Sequence, residues 1–415
     1  MSNQINSTLG DLVKAGGGII HTGPFGSQLH AEDYVAQGIP CIMPANMKDN
    51  RVDLSNISYI SDEDAQRLSK YLVKAGDIVY SRRGNVTLKA LIRKNEAGYF
   101  CGTGCLLLRP GNLLDSDYLT YYLSTPKIQS WLISQAIGAT MPNLNTGILA
   151  RIPFSGPEKS IQEKISSVLR AIDDKLELNN RINAELEAMA KTLYDYWFVQ
   201  FDFPDVNGKP YKTSGGKMVY NTTLKREIPA GWAVNTLSQI ANITMGQSPA
   251  GESYNEDGIG TLFFQGSTDF GWLFPTPRQY TISPARMAKK GDILLSVRAP
   301  VGDMNIANAD CCIGRGLAAL NSKSGSDGFL FYVMKYFKQV FERRNAEGTT
   351  FGSMTKDDLH SLQVVCPEPE LLKRYDGIVS EYNKMIFIRS LENQDLIKLR
   401  DWLLPLLMNG QVTVK

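Results

Sequence analysis

The sequence predicts an α+β fold written twice: two similar mixed α/β domains separated by two long helices, which pair as an antiparallel coiled coil in a pseudo-twofold internal repeat. Three observations predict it. First, "GDIVYSRRG" at residues 76–84 returns as "GDILLSVRA" at residues 291–299. Second, other landmarks recur around that stretch in the same order: "YVAQGIP" from Tyr34 with "YNEDGIG" from Tyr254, Gly102 and Gly104 with Gly314 and Gly316, and Gly138 and Thr140 with Gly348 and Thr350. The separation between partners shrinks along the chain, as expected when framework segments are kept and connecting loops vary in length. Third, each copy ends in a long run of helical periodicity.

The elements follow in chain order. Residues 1–156 form the first globular copy. Its "DIVYS" run is short, apolar and β-branched, and it follows a Lys-Xaa-Gly-Asp turn, so it reads as a buried strand leaving a tight turn. Residues 157–199 form the first long helix. Ile161, Ile165, Val168, Ile172, Ile182, Leu186, Met189 and Leu193 recur at steps of three and four, broken where Lys175 and Asn179 fall. About 40 residues of helix span roughly 60 Å. That is far longer than the ~11–12 residues of an average globular helix, so pairing with the second helix is expected. Residues 200–229, rich in Pro, Gly and polar side chains, read as a linker. Residues 230–366 form the second copy, with Trp232 of "IPAGW" as its first buried anchor. Residues 367–410 form the distal helix, carried by Leu371, Tyr375, Ile378, Tyr382, Met385, Leu396, Leu399 and Leu403 and broken at Arg389 and Glu392. A proline precedes each helix (Pro157, Pro367), Gly410 stops the second, and residues 411–415 are a tail.

Composition excludes several classes. At 415 residues and 43% hydrophobic, the chain can bury more than one core. Its net charge of +2, from 44 basic and 42 acidic residues, gives no global basic field, so any nucleic-acid surface must be local. Six cysteines without CxxC spacing and three scattered histidines do not make a zinc site, and none is expected. No secretory signal pattern and no apolar run of membrane-spanning length is present, so a cytoplasmic protein with no membrane partner is expected. Catalytic constellations are missing as well. There is no GxxxxGK[ST] loop, no GxSxG elbow and no [DN]PP[YFW] tetrapeptide of the amino-methyltransferases. The Gly-rich "GGGII" and "GPFGSQ" lack a strand–GxGxxG–helix setting. The chain is expected to catalyse nothing alone and to hold no metal or cofactor.

What remains is a set of polar groups at matching landmarks. Arg82 and Arg83 follow the first repeated strand and Arg298 follows the second; an arginine at a strand mouth can offer its planar fork to phosphate or to guanine O6 and N7. The ordinary alternative for each is a surface arginine closing an ion pair. Gln28, Asn46, Gln247, Ser248, Gln265 and Arg315 gather near the same framework positions, and Asn and Gln are the side chains that read adenine bidentately. Their ordinary alternative is loop capping. These nine residues are the candidate DNA contacts. Ile165, Ile172, Leu186, Leu193, Ile378, Tyr382, Leu396 and Leu403 are the candidate helix-pairing positions.

The repeated "GDI" strand, the Gly-Thr loops "GATMPNL" and "GTTFGSM" before each helix, the "PEKSIQEKI" run into the first helix and the "GW" opening of the second copy together resemble the specificity subunits of type I restriction-modification enzymes. The resemblance covers residues 1–410. It implies that each copy is a target recognition domain reading one half of a split double-stranded DNA sequence. It further implies that the helices space the readers and dock two methyltransferase subunits, to which restriction/translocase subunits can be added. S-adenosylmethionine, ATP and magnesium would belong to those partners. The second helix begins "PEPELLKRY" and lacks a counterpart of Gln162, a departure from the first. The rival readings are a methyltransferase fusion, against which the missing tetrapeptide speaks, and a structural scaffold without base specificity.

Overall fold

The computed structural model describes residues 4–136, 142–346 and 353–414. The chain divides into two units, one made of Met1–Leu176 with Asp395–Lys415 and the other of Glu177–Gln394. The division falls inside both long helices. The two Gly-Thr loops lie largely outside the described residues.

In the first unit the repeated strand Ile78–Ser81 sits in an antiparallel sheet ordered Ile19–Thr22, Cys105–Arg109, Ile78–Ser81, Lys89–Leu91. Successive side chains leave a strand on opposite faces, and here both faces are covered. Ile78 and Tyr80 join Leu106 and Leu108 in one apolar cluster, while Val79 joins Leu107 in another. Double burial is why the segment reads as a continuous apolar run rather than an alternation. Gly76, at φ +87°, supplies the left-handed turn before the strand. The Asp77 carboxylate then accepts the Lys74 amide at 2.8 Å and two Arg109 donors at 2.7 and 2.6 Å. A second sheet, ordered Phe100–Cys101, Ile39–Ile42, Ser58–Ile60, Tyr34–Val35, begins with a parallel pair and feeds the cluster that holds Val79. A two-stranded ribbon joins Ile5–Thr8 to Pro153–Gly156.

The second unit repeats this plan. Its central sheet runs Ala241–Met245, Leu317–Ser322, Ile293–Ser296, Met304–Ile306. Ile293 and Leu295 enter one cluster and Leu294 the other. Gly291 turns at φ +96° and Asp292 accepts the Lys289 amide at 2.8 Å. The second sheet again holds a parallel pair, Thr261–Phe264 with Cys311–Ile313, and the ribbon is Ala233–Thr236 with Gln363–Cys366. Residues 200–229 depart from the expected linker. Met218–Asn221 pairs with Arg226–Pro229, Phe201 is buried, and Phe203 stacks on Tyr211 and Trp232 with ring centroids 4.6 and 4.9 Å apart. Aromatics scattered through polar sequence leave no periodic signal, which is why the segment looked unstructured.

The first long helix, Lys159–Tyr194, runs into a π-helical turn at Asp195–Val199; the second is Pro369–Met408, with Pro405 inside its last turns. At 1.5 Å per residue, their 36 and 40 residues are ~54 and ~60 Å long. In the first unit Arg400 donates to Asp173 at 3.2 Å. In the second, Asn179 donates to Glu392 at 2.7 Å and to Asn393 at 2.9 Å, and the Tyr375 hydroxyl donates to the Ala190 carbonyl at 3.2 Å. Numbering falls on one helix as it rises on the other in the second unit, and in the first Ile165 and Leu169 share a cluster with Leu407 and Met408 while Asp173 meets Arg400, so the pair is antiparallel within each unit.

The buried seam of the first helix is Ile165, Leu169, Ile172, Leu176, Asn179, Asn183, Leu186 and Ala190. Val168, Lys175 and Met189 give way to the residue after each. Asn179 is therefore a hydrogen-bonded seam member and not an interruption. Ile165, Ile172 and Leu186 are buried as expected of pairing positions, and Leu193, Tyr382, Leu396 and Leu403 are half-buried. Ile378 is corrected: it is exposed on the outer face, while Val379 and Ile386 enter the seam because the helix advances four residues after Tyr375.

Candidate nucleic-acid interface

The mouth of the repeated strand is built identically in both units. Ser81 Oγ donates to the Arg83 carbonyl at 2.9 Å, and Ser296 Oγ donates to the Arg298 carbonyl at 2.9 Å. One residue earlier, the Arg82 and Val297 amides donate to Gly104 and Gly316, while their carbonyls accept from Leu144 and Met354. Isolated bridges then link Arg83 to Asn143 and Arg298 to Ser353. Position by position, Arg83 is the counterpart of Arg298 and Arg82 is the counterpart of Val297. Likewise, the Gly23 and Gly246 amides donate to Cys105 and Leu317, which pair with Ser81 and Ser296, so Phe25 matches Ser248.

The arginines at these mouths are uncommitted. Arg67, Arg93, Arg109, Arg278 and Arg400 all close ion pairs with carboxylates. Among the described residues, the side chains of Arg82, Arg83, Arg298 and Arg315 make no hydrogen bond or ion pair. Arg83, Arg298 and Arg315 are exposed. Arg82 is half-buried; its guanidinium lies 5.8 Å from the centroid of Phe25, a ring that is 53% exposed, and its Nε is buried without a partner among the described residues. The Oδ1 of Asn143, beside it on the neighbouring segment, is buried and unpartnered in the same way.

The other candidates divide between the copies. In the second, Ser248 and the Gln265 amide hydrogen-bond at 3.0 Å, and the Arg315 amide donates to Ser248 Oγ at 3.3 Å. Gln247 is exposed next to them. The structure thus brings Gln247, Ser248, Gln265 and Arg315 to one edge. In the first copy, Gln28 Oε1 accepts from Tyr71 Oη at 3.0 Å and from the Phe25 amide at 3.2 Å. Asn46 is a correction: it is buried, accepting from the Met43 amide and donating to the Asp53 carbonyl, so its amide edge is spent on the loop rather than offered to a base. Sequence reasoning missed Phe25 and Asn143; an aromatic between Gly-Pro and Gly-Ser in "GPFGSQ" was the available signal for the first.

No helix among the described residues is long and apolar enough to cross a membrane. A family profile described as "Type I restriction modification DNA specificity domain" matches residues 4–188 and again 229–374. A Methanocaldococcus jannaschii protein provisionally named as the specificity subunit of type I restriction enzyme MjaX is 30% identical over 91% of this chain and 88% of its own. The HindI specificity subunit of Haemophilus influenzae is 21% identical over 86% of this chain and 90% of its own. The crystal structure of a type I restriction-modification S subunit from M. genitalium covers 98% of this chain and 96% of its own, with a TM-score of 0.64 and 17% identity, a likeness of fold.

Proposed function

This chain belongs to the type I restriction-modification DNA specificity family, and on that premise we propose that each of its globular copies reads one half of a bipartite, asymmetric DNA target. It is the specificity subunit of a type I restriction-modification system and carries two target recognition domains. The observation that carries the reading is the strand mouth: one framework, built twice, holding Arg83 and Arg298 free at the same place among loops that otherwise differ. Two unlike readers on one chain need no palindrome. The paired helices set the separation of the half-sites and dock two methyltransferase subunits, with restriction subunits joining that assembly. B-DNA presents the same face every ~34–36 Å, so helices of ~54–60 Å are long enough to act as a ruler. S-adenosylmethionine, ATP and magnesium act on the partner subunits, and the assembly works in the cytoplasm.

The test is methylation mapping. Purified alone, the chain should not methylate or cut DNA; with its methyltransferase subunits and S-adenosylmethionine it should modify a split sequence. Replacing residues 230–360 with the equivalent part of a relative should change one half of that sequence and leave the other intact. Turnover by the isolated chain, or simultaneous change of both halves, would overturn the reading.

A further inference from the structure

We propose that the strand mouths divide their work: Arg83 and Arg298 hold the DNA backbone, whereas Arg82 discriminates bases, reading a guanine in the half-site bound by the first copy alone. The inference rests on the bipartite reading above and adds which arginine does what.

The argument begins from equivalence. A side chain placed identically in two readers cannot by itself tell two unlike half-sites apart, while one present in a single reader can. Arg83 and Arg298 are identical in placement: the same serine holds each carbonyl at 2.9 Å, and the same bridge fixes each strand end. Both are exposed and free of side-chain partners among the described residues. Contacts of this shared kind position a protein on phosphate, and base contacts specify sequence.

Arg82 differs in every respect. Its counterpart Val297 is buried in the second unit's apolar cluster and offers no polar atom. Arg82 is instead half-buried, with its guanidinium over the face of Phe25, and Phe25 in turn matches Ser248. An arginine laid against an aromatic face keeps its planar fork at a low cost in rotamer entropy, the arrangement suited to bidentate recognition. Its Nε is enclosed, so the terminal nitrogens are the donors left to the outside. In the major groove, a planar two-donor fork matches guanine O6 and N7. In the second copy the same framework position is apolar, and its polar edge is built from Gln247, Ser248, Gln265 and Arg315, of which the two glutamines carry the amide that matches adenine. The two copies thus carry different reading chemistry on one scaffold.

The complex of this chain with its methyltransferase subunits, challenged with a randomised duplex pool, tests the division. The wild type should return a bipartite motif with a guanine in the half-site read by the first copy. Arg82→Val, which installs the residue native to the second copy, should lower preference for that guanine about 5- to 150-fold and leave the other half unchanged. Arg82→Lys, which keeps the charge and loses the fork, should do the same while retaining overall affinity. Arg83→Ala and Arg298→Ala should weaken binding for all sequences alike and each reduce the salt slope by about 1. An unchanged motif in both Arg82 variants, or loss of a base preference in Arg83→Ala, would overturn the division. A wild-type complex that selects no motif would overturn the bipartite reading itself, and so separates the two failures.

Discussion

Lys89 takes an ammonium where water does not follow. It is 3% exposed, and its Nζ lies 5.9 Å from the ring centroid of Tyr80, whose own hydroxyl is buried with no hydrogen-bond partner among the described residues. Burial pulls its pKa down to about 7. The unfolded chain, with its lysine near 10.4, binds the extra proton above that value. The group therefore destabilises the fold fully below about pH 7, and the penalty fades as pH climbs toward the unfolded pKa. Lys89→Met should accordingly stabilise the first unit by about 2–4 kcal/mol at pH 6 and by much less at pH 9.5. Thermal unfolding of the two proteins at both pH values checks this; an equal effect at each pH would refute it. Gln162 shows the same scale working the other way. Fully buried, it accepts from the Asp115 amide at 2.9 Å and donates to the Pro157 carbonyl at 2.8 Å, clamping the start of the first long helix. In the second copy no glutamine stands there, and Asp376, one to two turns into the distal helix, accepts the Phe329 amide at 3.0 Å.

Among elements, the long helices hold their register through polar seam residues. Asn179 is 1% exposed and spends its amide on Glu392 and Asn393, while Asn393 donates to Asn180 at 2.9 Å. A buried asparagine in such a seam fixes register at some loss of stability. Asn179→Leu should raise the thermal midpoint or leave it unchanged, yet permit alternative pairings, seen in sedimentation as a mixture of oligomers. A single species identical to the wild type would contradict that role. The strands and helices themselves were legible, because double burial requires continuous apolar runs and a paired helix requires a repeat near 3.5. The seam's register was less so: Met189 and Ala190, or Ile378 and Val379, are adjacent apolar residues, and only packing decides which turns inward. At the candidate site, duplication exposed Arg83 and Arg298. Beyond the aromatic set in "GPFGSQ", the contact of Phe25 with Arg82 was not legible, since it joins distant segments through a fold the sequence does not spell out.

For the whole molecule, the ruler makes a numerical claim. Removing one heptad from each helix, matched across the pair, shortens the helices by about 10 Å at 1.5 Å per residue. DNA rises ~3.4 Å per base pair, so the preferred gap between half-sites should fall by about three base pairs with both half-sites unaltered. Mapping methylated sites decides it; an active variant with an unchanged gap would reduce the helices to docking surfaces. The composition of the first unit carries a different consequence. Leu407 and Met408, at the end of the second long helix, are buried in the cluster that also holds Leu9 and Leu149. A ribosome releases the chain at ~5–20 residues per second, so this unit is started first and finished last, waiting roughly 10–40 s while residues 177–394 are made. Throughout that interval its apolar cluster lacks a wall, and a message truncated before codon 395 would leave it so permanently, releasing a product with one finished reader and one that proteases and chaperones would treat as unfolded.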